Sequence, residues 1–264
     1  MARYTLAEHD AFAAAAIRDG FVILPGHFPA DKIQAWKEAF RPLLDEHIAR
    51  EGHLANRGSS RYYVTLPFEG LWADPTVYED DDVLAIVGKL VGDDGVMCQL
   101  ATDTPMRGSD YQDIHRDTPP LFPEWGRETP PYQLALNFPL VDVTYENGPI
   151  EIAAGTHMLD KADAMQRLEA GEFTLKPYPM NAGDLMIRDV RGLHRGTPNN
   201  TDEPRPMVVI GYSRRWLLRP EVRIDVPRAT HEGLSERAKA WLRFNPIVER
   251  VEPKAAEVYQ SFSY

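Results

Sequence analysis

Gln112-Asp113-Ile114-His115-Arg116-Asp117 sets a histidine and an aspartate two residues apart. In extended backbone, side chains two apart project from the same face. His115 and Asp117 can therefore offer an imidazole nitrogen and a carboxylate oxygen to one point. A later stretch, Gly192-Leu193-His194-Arg195-Gly196-Thr197-Pro198-Asn199-Asn200, supplies another histidine, with Arg205 just beyond. Two histidines and one carboxylate on one face of a metal leave open positions. That donor set suits non-haem Fe(II) that also binds a co-substrate and dioxygen. The chain has eight histidines, so a lone His-x-Asp is expected by chance and the surroundings must carry the assignment.

At 264 residues the chain is long enough for one large domain with a real core, and two would be cramped. Its 43% hydrophobic and 26% charged content is ordinary for a soluble globular protein. Net charge is −11, from 29 basic and 40 acidic residues, with no Lys/Arg-dense stripe, which argues against a nucleic-acid partner. Cys98 is the single cysteine, so an intramolecular disulfide is excluded and a reducing compartment fits. The first residues lack the apolar stretch of a secretory signal, and no apolar run is long enough to cross a bilayer. The expectation is a cytoplasmic enzyme without a membrane partner, compatible with a monomer or a homo-oligomer.

Thr5-x-x-Glu8 is a capping-box pattern that opens a helix through Asp19, with Gly20 as its stop. Phe21 to Leu24 reads as a short buried strand. Ile33, Trp36, Phe40, Leu43, Leu44 and Ile48 recur at helical spacing over Ala30 to Ala49, where Pro42 should kink or split the helix. Glu51 to Ser60 reads as a loop, Arg61 to Leu66 as a strand, and Asp81 to Val91 as a third helix. From Val96 the texture changes to short strands: Val96 to Thr102, Tyr111 to Asp117, Tyr132 to Val143, Ile150 to Ala153, Phe173 to Lys176, Leu185 to Arg188 and Met207 to Tyr212. Thr118 to Pro131, with five prolines, Phe122 and Trp125, is a long irregular segment beside the proposed site. Helices are expected over Lys161 to Ala170 and Ser235 to Arg243. Helices followed by many short strands lack the alternating rhythm of a parallel α/β domain. The fold class is mainly β with flanking helices, an antiparallel barrel or sandwich with the metal site in its mouth.

Arg205 begins the apolar strand Met207 to Tyr212 and is flanked by Pro204 and Pro206. A fixed arginine near a ferrous site can grip the distal carboxylate of a 2-oxo diacid bidentately, which a lysine would do only as a point charge.

Four blocks together resemble the phytanoyl-CoA dioxygenase-like family of Fe(II)/2-oxoglutarate oxygenases. They are Gln112 to Asp117, the run Leu140 to Pro149, Ala154-Gly155-Thr156-His157, and Gly183-Asp184 leading through His194 to Arg205. The resemblance spans roughly residues 95 to 215. It implies a double-stranded β-helix (jelly-roll) core over 93–220, a mainly helical part over 1–92 and a C-terminal extension over 221–264, within a single domain. It implies iron on His115, Asp117 and His194, and the 2-oxoglutarate C5 carboxylate on Arg205. It maps co-substrate contacts onto Gln112 and Thr156, with Asn137 as a third candidate. The expected cofactors are Fe(II), 2-oxoglutarate and dioxygen. The expected reaction is oxidation of an unactivated C–H bond, most simply hydroxylation, in a small organic molecule such as a secondary metabolite, with release of succinate and CO2. Asp117 disfavours halogenation, because family halogenases carry a small residue there. The Ala154 block departs mildly from the usual Pro-Gly-Ser/Thr-His.

Candidate substrate walls are Tyr62, Tyr63, Phe122, Trp125, Arg188 and Trp216, with Arg188 suited to an acidic substrate. Any single aromatic among them is as readily explained by packing. The alternative to an oxygenase is a cupin-like metal-binding jelly roll, which needs no arginine after its last ligand.

Overall fold

The computed structural model describes residues 2–52, 58–217 and 222–253. Helix α1 (Leu6–Asp19) leads into strand β1 (Phe21–Leu24), then α2 (Ala30–Glu51), β2 (Arg61–Thr65), the single turn α3 (Pro75–Tyr78) and α4 (Asp81–Val91). Strands β3 (Val96–Pro105), β4 (Gln133–Pro139) and β5 (Ile150–Ile152) follow. After them come α5 (Lys161–Glu169), β6 (Lys176–Tyr178), β7 (Leu185–Asp189), β8 (His194–Arg195) and β9 (Met207–Ser213). The chain continues through β10 (Val226–Pro227), α6 (Arg228–Gly233), α7 (Glu236–Leu242) and β11 (Ile247–Val248).

The expected capping box opens α1. The Thr5 hydroxyl accepts from the Glu8 amide, and the Glu8 carboxylate accepts from the Thr5 amide. Gly20 ends it in the left-handed region at φ 85°. Pro42 does not split α2, which runs unbroken from Ala30 to Glu51. The proline removes one helical hydrogen bond, but Trp36, Phe40 and Leu44 bury the same face on both sides of it.

The main sheet is antiparallel in the order β1-β7-β4-β9-β3-β2, and a smaller one runs β6-β5-β8. Alternation divides each central strand between two interiors. Leu134, Leu136 and Phe138 of β4, with Val208, Ile210 and Tyr212 of β9, face the helices and share a core with Ile33, Trp36, Phe40 and Leu44. The opposite side chains, among them Met186 and Met207, pack against Val143, Ile152 and Met180 toward the smaller sheet. This is the jelly-roll arrangement, helices outside and a lined interior between two sheets. No described helix is long and apolar enough to cross a membrane.

Residues 111–117 do not form the expected strand. A single antiparallel bridge joins His115 to His194, flanked by bonds from Gln112 N to Gly196 O and from Asp117 N to Val190 O. The segment is extended, but its bonds are too sparse for a continuous ladder. Of the loop expected over 51–60, residues 53–57 lie outside the described residues, as do 221 and 254–264 of the expected C-terminal extension.

Candidate metal centre

His115 and His194 face each other across that bridge, with main-chain bonds of 3.0 and 3.1 Å and ring centroids 4.4 Å apart. Each ring is oriented from behind. Nδ1–H of His115 donates to the Asp113 carbonyl at 2.7 Å, and Nδ1–H of His194 to the Gly192 carbonyl at 2.9 Å. Both Nε2 lone pairs are thereby left to point forward. Asp117 Oδ1 lies 3.6 Å from His115 Nε2 and 3.5 Å from His194 Nε2. One ligand atom from each of the three residues lies within 4.8 Å of the others.

The electrostatics favour a cation. Burial opposes ionisation of Asp117, but Arg188 and the two imidazoles outweigh it and hold the carboxyl well below its usual range. Burial drives the His194 imidazole down to about 4, against the pull of Asp117, so it is a neutral donor at neutral pH. Arg188 Nη2 donates to Asp117 Oδ2 at 2.7 Å, and its Nε to Asn137 Oδ1 at 3.0 Å. One carboxylate oxygen is thus occupied and the other left to the metal position. Two imidazole nitrogens and one carboxylate oxygen, with an open side, fit a ferrous ion.

The triad lines one cavity with Arg61, Asp103, Gln112, Asn137, Arg188 and Arg205. Alternation on β4, β7 and β9 delivers Asn137, Arg188 and Val209 to this interior. Arg205 is 3% exposed, and its Nε has no hydrogen-bond partner among the described residues. Burial lowers its guanidinium to about 10, Asp103 opposing and Arg61 adding to the shift. Arg61 is spoken for, donating to Asp103 at 2.9 Å and to the Thr197 carbonyl at 2.8 Å. Two buried guanidiniums and one carboxylate at this end invite an anion. Gln112 accepts from the Gly196 amide at 2.9 Å through Oε1, the atom a Cβ on Gly196 would strike at 2.6 Å.

Several expected contacts fall elsewhere. Thr156 does not line the cavity: its hydroxyl donates to Ala153 O at 2.7 Å and accepts from Leu193 N at 2.9 Å. Gly155, at φ 81°, turns the chain so that this hydroxyl is consumed inside the fold. Tyr62 is buried in the helix-facing core, edge-on to His47, so it cannot wall the cavity. Tyr63 faces the interior but packs with Ala101 and Val222, its hydroxyl accepting from Gln99. Phe122 and Trp125 stack on each other at 4.7 Å and are exposed, and Trp216 is exposed beside Tyr132. Arg188 does reach the cavity, but as the partner of Asp117. Arg61 and Asp103 were not anticipated. Alternation in Arg61-Tyr62-Tyr63 separates two faces without saying which is inward.

The fold is a jelly roll whose interior brings two histidines and a carboxylate to one point, a donor set that can hold a metal ion. The chain belongs to the phytanoyl-CoA dioxygenase (PhyH) family, which it matches over residues 17–207. An Aspergillus calidoustus protein, the iron/alpha-ketoglutarate-dependent dioxygenase ausO, is 24% identical over 144 residues, 53% of this chain and 48% of that protein. The chain's match thus spans about half the length of that relative. Among solved structures, the epimerase SnoN, in complex with Fe3+, alpha ketoglutarate and nogalamycin RO, superposes with a TM-score of 0.63 at 23% identity. That match covers 80% of this chain and 85% of SnoN. AviO1 from Streptomyces viridochromogenes Tue57 gives 0.62 at 21% identity, covering 82% and 99%. At such identities these likenesses establish the fold.

Proposed function

We propose that this chain, read as one oxygenase domain, is a non-haem Fe(II)- and 2-oxoglutarate-dependent dioxygenase. Its substrate is a small organic molecule of the secondary-metabolite kind, and its simplest outcome is hydroxylation. The carrying observation is the buried Arg205 with an unpartnered Nε, in the cavity that also holds the His115–Asp117–His194 triad. A cupin-like metal site would have no use for a buried guanidinium whose Nε is left without a hydrogen-bond partner. The likeness to SnoN and to the ausO dioxygenase supports the same co-substrate, and a single cysteine fits a cytoplasmic setting.

In this reading a ferrous ion, with 2-oxoglutarate and dioxygen, supplies oxidative decarboxylation to succinate and CO2 and the oxidant that removes a substrate hydrogen. The chain's own residues do the rest. His115 and His194 hold their protons on Nδ1, fixed by backbone carbonyls, and so present lone pairs to the metal. Asp117 offers one oxygen while Arg188 holds the other. Arg205 anchors the distal carboxylate, and Arg61 adds positive charge beside it. Gln112 lines the same cavity, and its amide nitrogen, which has no hydrogen-bond partner among the described residues, can donate there. Ile150, Met180, Met186, Met207 and Val209 make the remaining wall apolar, which limits water at the reacting centre.

The test is anaerobic titration of 2-oxoglutarate into the Fe(II)-loaded protein, following the weak visible charge-transfer band. The wild type should develop it. Arg205→Ala should retain Fe(II) yet bind 2-oxoglutarate at least ~100-fold more weakly, because a bidentate charge-assisted pair is lost. Iron bound without any band in the wild type would replace this reading with the cupin-like one.

A further inference from the structure

Segment 118–131 leaves the metal centre after Asp117, is exposed from Phe122 to Arg127, and turns inward at Glu128. The Glu128 side chain is 2% exposed and sits between two arginines that are themselves 1% exposed. Arg116, the residue between the ligands His115 and Asp117, donates to Glu128 Oε1 at 2.9 Å. Its Nη2 donates to the carbonyls of Thr156 and Leu159 at 2.9 and 2.8 Å, while its Nε has no partner among the described residues. Arg191, three residues before His194, donates to Glu128 Oε2 at 3.2 Å and to the Thr129 carbonyl at 2.7 Å. Arg191 is also held by Asp189, at 2.8 and 2.6 Å. Each oxygen of one carboxylate therefore grips an arginine on a different ligand-bearing segment.

Two further bonds carry this arrangement to the third ligand. The Thr156 hydroxyl accepts from the amide of Leu193, the neighbour of His194. The turn that contains Arg191 also contains Gly192, whose carbonyl orients the His194 ring. Two guanidiniums and two carboxylates balance in charge. Burying such ions is nevertheless costly, and well-packed apolar residues usually stabilise a fold as well or better. Net stability is therefore a poor reason for the cluster, whereas geometry next to all three ligands is a good one.

We propose that Glu128 is a positioning residue that holds the two ligand-bearing segments in register, coupling the proline-rich segment to the metal centre. This rests on the reading of His115, Asp117 and His194 as metal ligands. On it, segment 118–131 is a strap pinned at Glu128, with the exposed run 122–127 as its tip. Outer partners that orient metal ligands typically change metal affinity ~10–100-fold when removed. Coupling is reciprocal, so metal binding must also steady the strap.

The experiment is anaerobic Fe(II) binding to wild type, Glu128→Gln and Glu128→Ala, read by competition with a colorimetric chelator, beside thermal unfolding of each metal-free protein. In variants that remain folded, Fe(II) affinity should fall ~10–100-fold. Chymotrypsin should cut after Trp125 more readily in both variants, and Fe(II) should slow that cut in the wild type only. Folded variants with Fe(II) affinity within about twofold of wild type would overturn the proposal, since a purely structural cluster moves stability and not the outer-partner effect. If neither single variant folds, Arg116→Met with Glu128→Leu removes one charge of each sign and leaves Arg191 paired with Asp189. That double variant should fold and bind Fe(II) weakly, and wild-type affinity in it would equally overturn the proposal. A wild type that does not bind Fe(II) at all would instead refute the metal reading on which the proposal stands.

Discussion

At Asp117 the two carboxylate oxygens have different partners, and on the proposed metal reading that difference leaves one of them for the ion. Oδ1 faces both imidazoles, while Oδ2 is held by Arg188 at 2.7 Å. Replacing Arg188 by glutamine removes this ion pair and leaves the carboxylate free to rotate. Fe(II) binding should weaken ~10–100-fold in Arg188→Gln, measured by chelator competition at fixed pH. An unchanged affinity would mean that packing alone orients Asp117. The ligand pair itself was legible because period-two geometry is local. Its partner was not, because Arg188 lies 71 residues along the chain and meets Asp117 only when β7 enters the main sheet. Thr156 was not legible for the same reason: its residue type suits a carboxylate, but the fold gives its hydroxyl the Ala153 carbonyl and the Leu193 amide as partners.

Among the elements, α1 is tied to the β structure by a histidine outside the metal centre. His157 Nε2–H donates to the carbonyl of Ile17 at 3.0 Å, and a Cβ on Gly20 would lie 2.7 Å from its Nδ1. Burial lowers this imidazole below 6.5, with Asp189 opposing and Arg191 adding to the shift. Protons therefore bind the unfolded chain more readily than the folded one in the window below about 6.5. This contribution is whole above that pH and is lost as pH falls through the depressed folded value. His157→Gln, which can still donate to Ile17, should flatten the acid side of the stability profile. Urea midpoints of the metal-free protein at several pH values between about 7.5 and 5 check it. Element types were largely legible, since α1 carries its capping box and its stop glycine in sequence and the strands alternate. Residues 111–117 were over-read, because an extended pattern does not reveal that the neighbouring backbone offers only scattered partners.

For the molecule as a whole, the cavity that holds the triad is lined by residues of the main sheet and of the smaller sheet, so an ion bound there should stabilise both together. Fe(II) at a hundredfold excess over its Kd should add about 2.7 kcal/mol and raise the Tm by roughly 5 °C. 2-Oxoglutarate should add a second increment only when Fe(II) is present. In Arg205→Ala the first increment should remain and the second vanish, readable by thermal unfolding under nitrogen. A second increment that survives in that variant would place the co-substrate away from Arg205.

By itself the sequence determined most element types, the mainly β class and the pairing of His115 with Asp117 on one face, because each depends on short-range periodicity or on side-chain chemistry at fixed spacing. It also singled out Arg205, which stands close after the last ligand between two prolines. Only the tertiary structure decided which face of each strand looks inward, and with it the partners of Arg61, Asp103, Arg188 and Glu128. Alternation yields two faces that are equivalent until the helices cover one and the smaller sheet covers the other. Burial then gives an ionisable side chain its partner or leaves it, as with Arg205, in need of one.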